Sequence, residues 1–479
     1  MKDEYEKIND EGENQEACCS APNRKQKIIL ITVFIIMGLI AISSLAVCFI
    51  IFLQNDAKVV TLKDINLTLI GDVFPDGEKI TAIAVTFIVE DNEDPNFTID
   101  NTKLSSHCFS VQERNITGIH SCSSLDNPHS KENGQYIILE LNPNDNNSKI
   151  IYRTNDESYT EPSSYIFHIQ QKADIDLING NYIQKTAKIY SNDPDINNTI
   201  NLVVDEFNAD TFINPDDSTE TLPYNIFIPK SIERSKPSKI DQKYPLILFI
   251  HDFSVVCNDP RMTLFQGIGG TIWATHEEQR KHESFVVAPC FNDIIVNGSY
   301  QHKGQYSLIM PLLNDLVNNK YKDIIDTDRI YITGQSMGSM ASISLMCENP
   351  NFFASGLFVA GQWDVKIMEN LINQSFWILC SEADEKSATQ NDLATENLEK
   401  LGARIGKGRW SGKANFAERK KNVEEILNGQ DNKFYVKFAN HTVMPLDIPY
   451  NIVDEHVYTW KVAYMIEGVR NWLFDQKLN

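Results

Sequence analysis

The chain has 479 residues, with 65 acidic against 43 basic side chains, a net charge of −22 and 42% hydrophobic residues. That much apolar material excludes wholesale disorder. The acidic balance excludes a phosphate-tracking nucleic-acid binder, which needs clustered Lys and Arg to displace counterions.

Residues 1–27 are polar and end in Arg24, Lys25 and Lys27. Ile28 to Leu53 then runs without a charge, and as a helix it would extend about 39 Å, more than the roughly 30 Å of a bilayer's hydrocarbon. The run is too long for a secretory signal, so it is expected to be a transmembrane signal anchor. The basic cluster before it places the N-terminus in the cytosol and the rest outside or in a lumen. Such an address permits glycosylation at the sequons of Asn66, Asn96, Asn115, Asn146, Asn197, Asn297, Asn373 and Asn440. It also permits disulfides, with Cys108–Cys122 the first candidate pair and Cys257–Cys290 the second. No Cys-x-x-Cys spacing occurs, so no metal site is indicated.

Residues 60–207 read as short strands: Lys79–Phe87, Cys108–Val111, Tyr136–Leu141, Ser164–Ile169 and Thr199–Val204, separated by Asn, Asp, Pro and Gly clusters. This pattern suggests an immunoglobulin-like β-sandwich. Its scattered histidines, His107, His120 and His168, suggest no site. Residues 208–220 (ADTFINPDDSTE after Asn208) are polar and acidic and suit a linker.

From 221 to 479 strands and helices alternate. Tyr244–Ile250 and Phe285–Pro289 are continuous apolar runs, as strands buried on both faces should be. Arg329–Thr333 and Phe376–Cys380 follow, with helices expected over 307–320, 337–348, 387–401 and 461–473 and Gly402 as a helix stop. Interleaved strands and helices mean a mostly parallel sheet covered on both faces, an α/β domain.

Gly334-Gln335-Ser336-Met337-Gly338 follows the third of these strands and opens a helix. This is the context of a nucleophile elbow, where a strained turn exposes the serine and the helix start offers N–H groups to a developing oxyanion. Serine needs a base, and the base needs a carboxylate to orient it. In an α/β-hydrolase the acid follows the serine and the histidine comes last. Glu382, Asp384 and Glu385 compete for the acid after the next buried strand; Asp384 is preferred, with Glu382 its rival. His441 and His456 compete for the base, and His456 is preferred because it precedes the expected last helix. Phe253 and Met337 are the candidate backbone donors of the oxyanion hole.

These segments carry a resemblance. Leu222-Pro223-Tyr224, Tyr244-Pro245-Leu246, Gly267 to Pro289, Asp328 to Tyr331, Gln335 to Gly338, Arg409-Trp410 and Val469 to Phe474 resemble bacterial esterases of the α/β-hydrolase superfamily with an N-terminal immunoglobulin-like domain. Residues 60–207 resemble that family's β-domain, most clearly at Ile80–Phe87 and Val203–Phe207. The resemblance implies a serine carboxylesterase with Ser336, Asp384 and His456 as its triad, a small ester as substrate and no cofactor. It also exposes departures. His251-Asp252 stands where the family has His-Gly, and a Cβ there restricts a turn that glycine enters freely, which implies an altered hole. Ser339 replaces the glycine after the elbow, and Glu455 replaces a glycine before the late histidine.

Two other readings are compatible with the sequence. A serine peptidase of the prolyl oligopeptidase type shares triad and sheet, but the chain has no room for the propeller. A non-catalytic surface receptor or adhesion protein on the same scaffold is the other, since fold does not guarantee chemistry.

Overall fold

The computed structural model describes residues 32, 35–38, 57–149, 151–153, 160–162, 166–192, 199–234, 242–255, 257–429, 431–446 and 448–478. Two compact units result: Met1–Val59 with Asn179–Tyr182, and Val60–Ile178 with Ile183–Asn479.

The membrane anchor expected over 28–53 is corrected here. Of that stretch only Thr32 and Ile35–Gly38 are described, all helical, and the remainder, with the tail 1–27, lies outside the described residues. Among the described residues no helix is long and apolar enough to cross a membrane. A crossing takes about 20 apolar residues in one helix. The transmembrane helix in the expected fold class, the single-pass localisation and the membrane as a partner therefore have no support.

The larger unit begins with a β-sandwich. One sheet has five strands: β1 (Leu62–Phe74), β2 (Gly77–Val89), β4 (Ile116–Cys122), β5 (Tyr136–Leu141) and β8 (Thr199–Asn201), in the order β8-β1-β2-β5-β4. Facing it is a three-stranded sheet of β3 (Phe109–Val111), β6 (His168–Gln171) and β7 (Ile189–Ser191). Ile65, Leu67, Ile83, Val85, Ile137 and Leu139 meet Phe109, Val111, Ile169 and Tyr190 in a shared core. Alternation produces this, because successive side chains of a strand take opposite faces.

The expected disulfides are not formed: all six described cysteines are free thiols. Cys108 lies in the core between the two sheets, whereas Cys122 packs with Ile70, Ala82, Ala84 and Ile138 on the other face. They point apart across a sheet, which forbids a bond. Burial, and after it the adjacent Cys257, pushes the Cys290 thiol far above the ordinary thiol range. Among the sequon asparagines, Asn66, Asn96, Asn115, Asn146, Asn373 and Asn440 are exposed and Asn297 is half-buried. Asn197 lies outside the described residues.

The second part of this unit is a nine-stranded sheet. Its strands are β9 (Phe207–Ile213), β10 (Thr221–Phe227), β11 (Tyr244–Ile250), β12 (Phe285–Pro289), β13 (Ile325–Gln335), β14 (Ser355–Val359), β15 (Ser375–Ser381), β16 (Gly406–Trp410) and β17 (Lys433–Phe438). They lie in the order β9-β10-β12-β11-β13-β14-β15-β17-β16. The pairings of β10 with β9 and β12 are antiparallel, and the rest are parallel. The stretch 208–220 is therefore not a linker. Its first half is an edge strand paired from Phe207 against Phe227 to Ile213 against Thr221, and it reads as polar because an edge strand leaves most side chains in water.

Separate cores cover the two faces of this sheet. Helix α1 (Met337–Glu348) is buried at every position but its last, and its side chains are apolar or small on all sides rather than striped. Helix α2 (Glu385–Lys400) ends at Gly402, whose φ of 97° suits the left-handed position after a helix. The expected single last helix is instead two, α3 (Ile452–Ala463) and α4 (Glu467–Phe474). The Asn451 side chain caps the first by accepting from the Val453 N–H at 2.8 Å.

Candidate active site

Register aligns the site. Ile250 pairs with Gly334, and Gln335 with Val359, so β11, β13 and β14 end together. In open parallel sheets the crevice beyond the strands' carboxyl ends is where ligands bind.

Ser336 links β13 to α1 with φ 52° and ψ −118°, a conformation that a side-chain-bearing residue keeps only when its surroundings impose it. Its N–H donates to the Val359 carbonyl at 3.0 Å, and its carbonyl accepts from the Met340 N–H at 3.0 Å. The flanking glycines are steric necessities. A Cβ on Gly338 would lie 2.0 Å from the Ile250 carbonyl oxygen, and one on Gly334 would lie 2.4 Å from the Gly338 backbone. Ser339 is accommodated by Gly361, where a Cβ would come within 2.4 Å of the serine's own Cβ.

Around this elbow the structure brings together the three residues expected to act. The Ser336 hydroxyl lies 2.8 Å from His456 Nε2, and His456 Nδ1 lies 2.5 Å from Asp384 Oδ2. The carboxylate fixes the tautomer: Nδ1–H donates to Asp384, which leaves Nε2 to accept from the serine hydroxyl. Asp384 is also the N-cap of α2, its Oδ1 accepting from the Ser387 N–H at 3.4 Å, where the helix dipole favours an anion. The His456 side chain is 25% exposed and that of Asp384 9%, so the base meets solvent while its orienting carboxylate does not.

His456 lies within α3, in its second turn, rather than before a helix. Its ring stands edge-on to Trp460 at 5.2 Å. The rivals are placed elsewhere. Glu382 is held by Arg409 through contacts of 2.6 and 2.9 Å, and His441 packs against Tyr450.

Of the two candidate oxyanion donors, Met337 opens α1, where its N–H has no acceptor within the helix. Phe253 sits in the turn after β11 with its side chain exposed. Asp252 does not distort that turn, for it is not among the described residues held at positive φ. The expected penalty for losing glycine is absent because the backbone takes a conformation open to any residue.

Sequence reasoning missed two buried tethers. Gln335 Nε2 donates to Asp252 Oδ2 at 2.8 Å. Glu455, fully buried beside His456, accepts from the Ser381 hydroxyl at 2.7 Å and the His441 N–H at 3.2 Å. The only sequence signal for either was a departure from the family pattern.

Comparison with known proteins agrees with this architecture. Residues 66–184 match the family model described as the esterase Ig-like N-terminal domain. No curated protein matches the chain. Among solved structures, a thermostable esterase is similar over 86% of this chain and 99% of its own, with a TM-score of 0.68 and 23% identity. A ferulic acid esterase is similar over 54% of this chain and 97% of its own, at 14% identity and a TM-score of 0.29. An S-formylglutathione hydrolase from Staphylococcus aureus is similar over 53% of this chain and 98% of its own, at 9% identity and a TM-score of 0.29. The first of these establishes the fold, an α/β-hydrolase sheet preceded by a β-domain, and bears out the resemblance carried by the sequence.

Proposed function

We propose that this chain is a serine carboxylesterase whose triad is Ser336, His456 and Asp384. The observation that carries the reading is the unbroken chain of contacts from the strained serine through His456 to a capped carboxylate. The match of residues 66–184 to an esterase-associated domain supports it from outside the site.

The chemistry follows from the geometry. His456 Nε2 takes the Ser336 proton as Oγ attacks the ester carbonyl, and Asp384 holds the imidazolium that forms. The carbonyl oxygen becomes an oxyanion facing the N–H groups of Met337 and Phe253. Collapse of the tetrahedral adduct expels the alcohol, which takes its proton from His456 and leaves an acyl-Ser336. Water, deprotonated by His456, then attacks the acyl group, and the acid departs as Ser336 recovers its proton.

Hydrolysis of p-nitrophenyl butyrate tests this reading. Wild-type protein is expected to turn the ester over, and Ser336→Ala to lose about 10⁵–10⁶ in kcat while keeping its fold. An inactive wild type, or activity unchanged in Ser336→Ala, overturns it.

A further inference from the structure

Asp252 occupies the place where the resemblance puts glycine, yet it is 4% exposed and bonded on several sides. Its Oδ1 accepts from the Ser254 N–H at 2.9 Å and from the Ser254 hydroxyl at 2.5 Å. Its Oδ2 accepts from Gln335 Nε2 at 2.8 Å. One carboxylate thus closes a turn around Phe253 and joins that turn to the residue before the nucleophile. Hydrogen bonds to an ionised acceptor are roughly twice as strong as neutral ones, and burial keeps water from competing for them.

His251 holds the other side of the same peptide. Its Nε2 accepts from the Phe291 N–H at 3.0 Å, so the proton is on Nδ1, which donates to the Asp252 carbonyl at 2.6 Å. Because a trans peptide is planar, a carbonyl aimed at His251 turns the Phe253 N–H the opposite way. The direction of that N–H is therefore set by a tether on each side of it.

We propose that Asp252 is a positioning residue for the oxyanion hole: its carboxylate ties the loop presenting the Phe253 N–H to Gln335, and so to Ser336. The proposal rests on the esterase reading of Ser336 and adds a residue to it. Where glycine would leave the loop free, this chain fixes it with a side chain. Asparagine can take over the role, since its oxygen can accept from Ser254. Its NH₂ can donate to a reversed Gln335 amide, whose Oε1 has no hydrogen-bond partner among the described residues. Alanine cannot.

The test is kcat and KM for p-nitrophenyl acetate in the wild type, Asp252→Asn, Asp252→Ala and Gln335→Met. Asp252→Ala is expected to lose about 10²-fold in kcat with KM within about threefold, as for a displaced oxyanion donor. Asp252→Asn should stay within about tenfold of wild-type kcat, and Gln335→Met should fall by about tenfold. Wild-type kcat in Asp252→Ala, or an asparagine variant as impaired as the alanine one, overturns the proposal. Should Asp252→Ala fail to fold, Gln335→Met decides, and wild-type kcat there overturns it. An active wild type with an unimpaired Asp252→Ala removes this proposal alone. A wild type with no Ser336-dependent hydrolysis removes the esterase reading and this proposal with it.

Discussion

The two backbone segments that meet at the candidate site are held by opposite means. The elbow around Ser336 is shaped by missing side chains, since Gly334 and Gly338 leave room for backbone that a Cβ would strike at 2.4 and 2.0 Å. The loop after β11 is shaped by an added side chain, with Asp252 bonded to Ser254 and Gln335. Steric fixation fails by collision when a residue is enlarged. Polar fixation fails by release when one is truncated.

Four variants or conditions sharpen this contrast, in falling order of expected effect. Asp384→Asn preserves the shape around His456 but removes the charge that fixes its tautomer, so kcat should fall by about 10⁴-fold with the fold intact. Steady-state kinetics and circular dichroism together check both halves. Gly338→Ala attacks the sterically built segment, and because the obstacle is backbone, denaturant unfolding should show a loss of about 1–3 kcal/mol. A near-wild-type midpoint would mean that the elbow tolerates a Cβ, and the contrast would fail.

The third test uses pH. Burial lowers the pKa of His251, outweighing the neighbouring Asp252 carbonyl and charge. The folded state thus keeps this ring neutral where the unfolded chain, with an ordinary value of about 6.5, takes up a proton. Stability from this group is present above about pH 6.5 and is lost as pH falls below that value, because the unfolded state then binds more protons. Melting temperature followed from pH 7.5 to 5 should fall less steeply in His251→Gln than in the wild type; equal slopes would show that His251 is not responsible. The smallest effect belongs to Glu382→Ala. That carboxylate serves a surface pair with Arg409, so kcat should remain within about twofold of wild type. A large loss would return the acid's role to Glu382.

The same contrast explains what was legible in the sequence. Steric demands leave glycine, so the elbow stood out in Gly334-Gln335-Ser336-Met337-Gly338. Burial on both faces leaves apolar runs, so Tyr244–Ile250 and Phe285–Pro289 were found at their true limits. Edge strands were missed: Phe207–Ile213 and Gly406–Trp410 keep mostly exposed or half-exposed residues and so show no buried apolar run. Strand β1 was missed for another reason, since register shifts near Leu62 and Ile70 break the alternation that marks a strand. The apolar run 28–53 lies almost wholly outside the described residues, among which no helix is long and apolar enough to cross a membrane. Tethers were illegible, because Asp252 and Gln335 are 83 residues apart and Ser381 and Glu455 are 74 apart. Only the fold brings such partners together.

Covalent labelling with a fluorophosphonate, located by peptide mass mapping, tests the central claim most directly. The account predicts one adduct, on Ser336, formed by the wild-type protein and absent from Ser336→Ala. A folded wild type that forms no adduct, or one whose adduct maps to another residue, would contradict it.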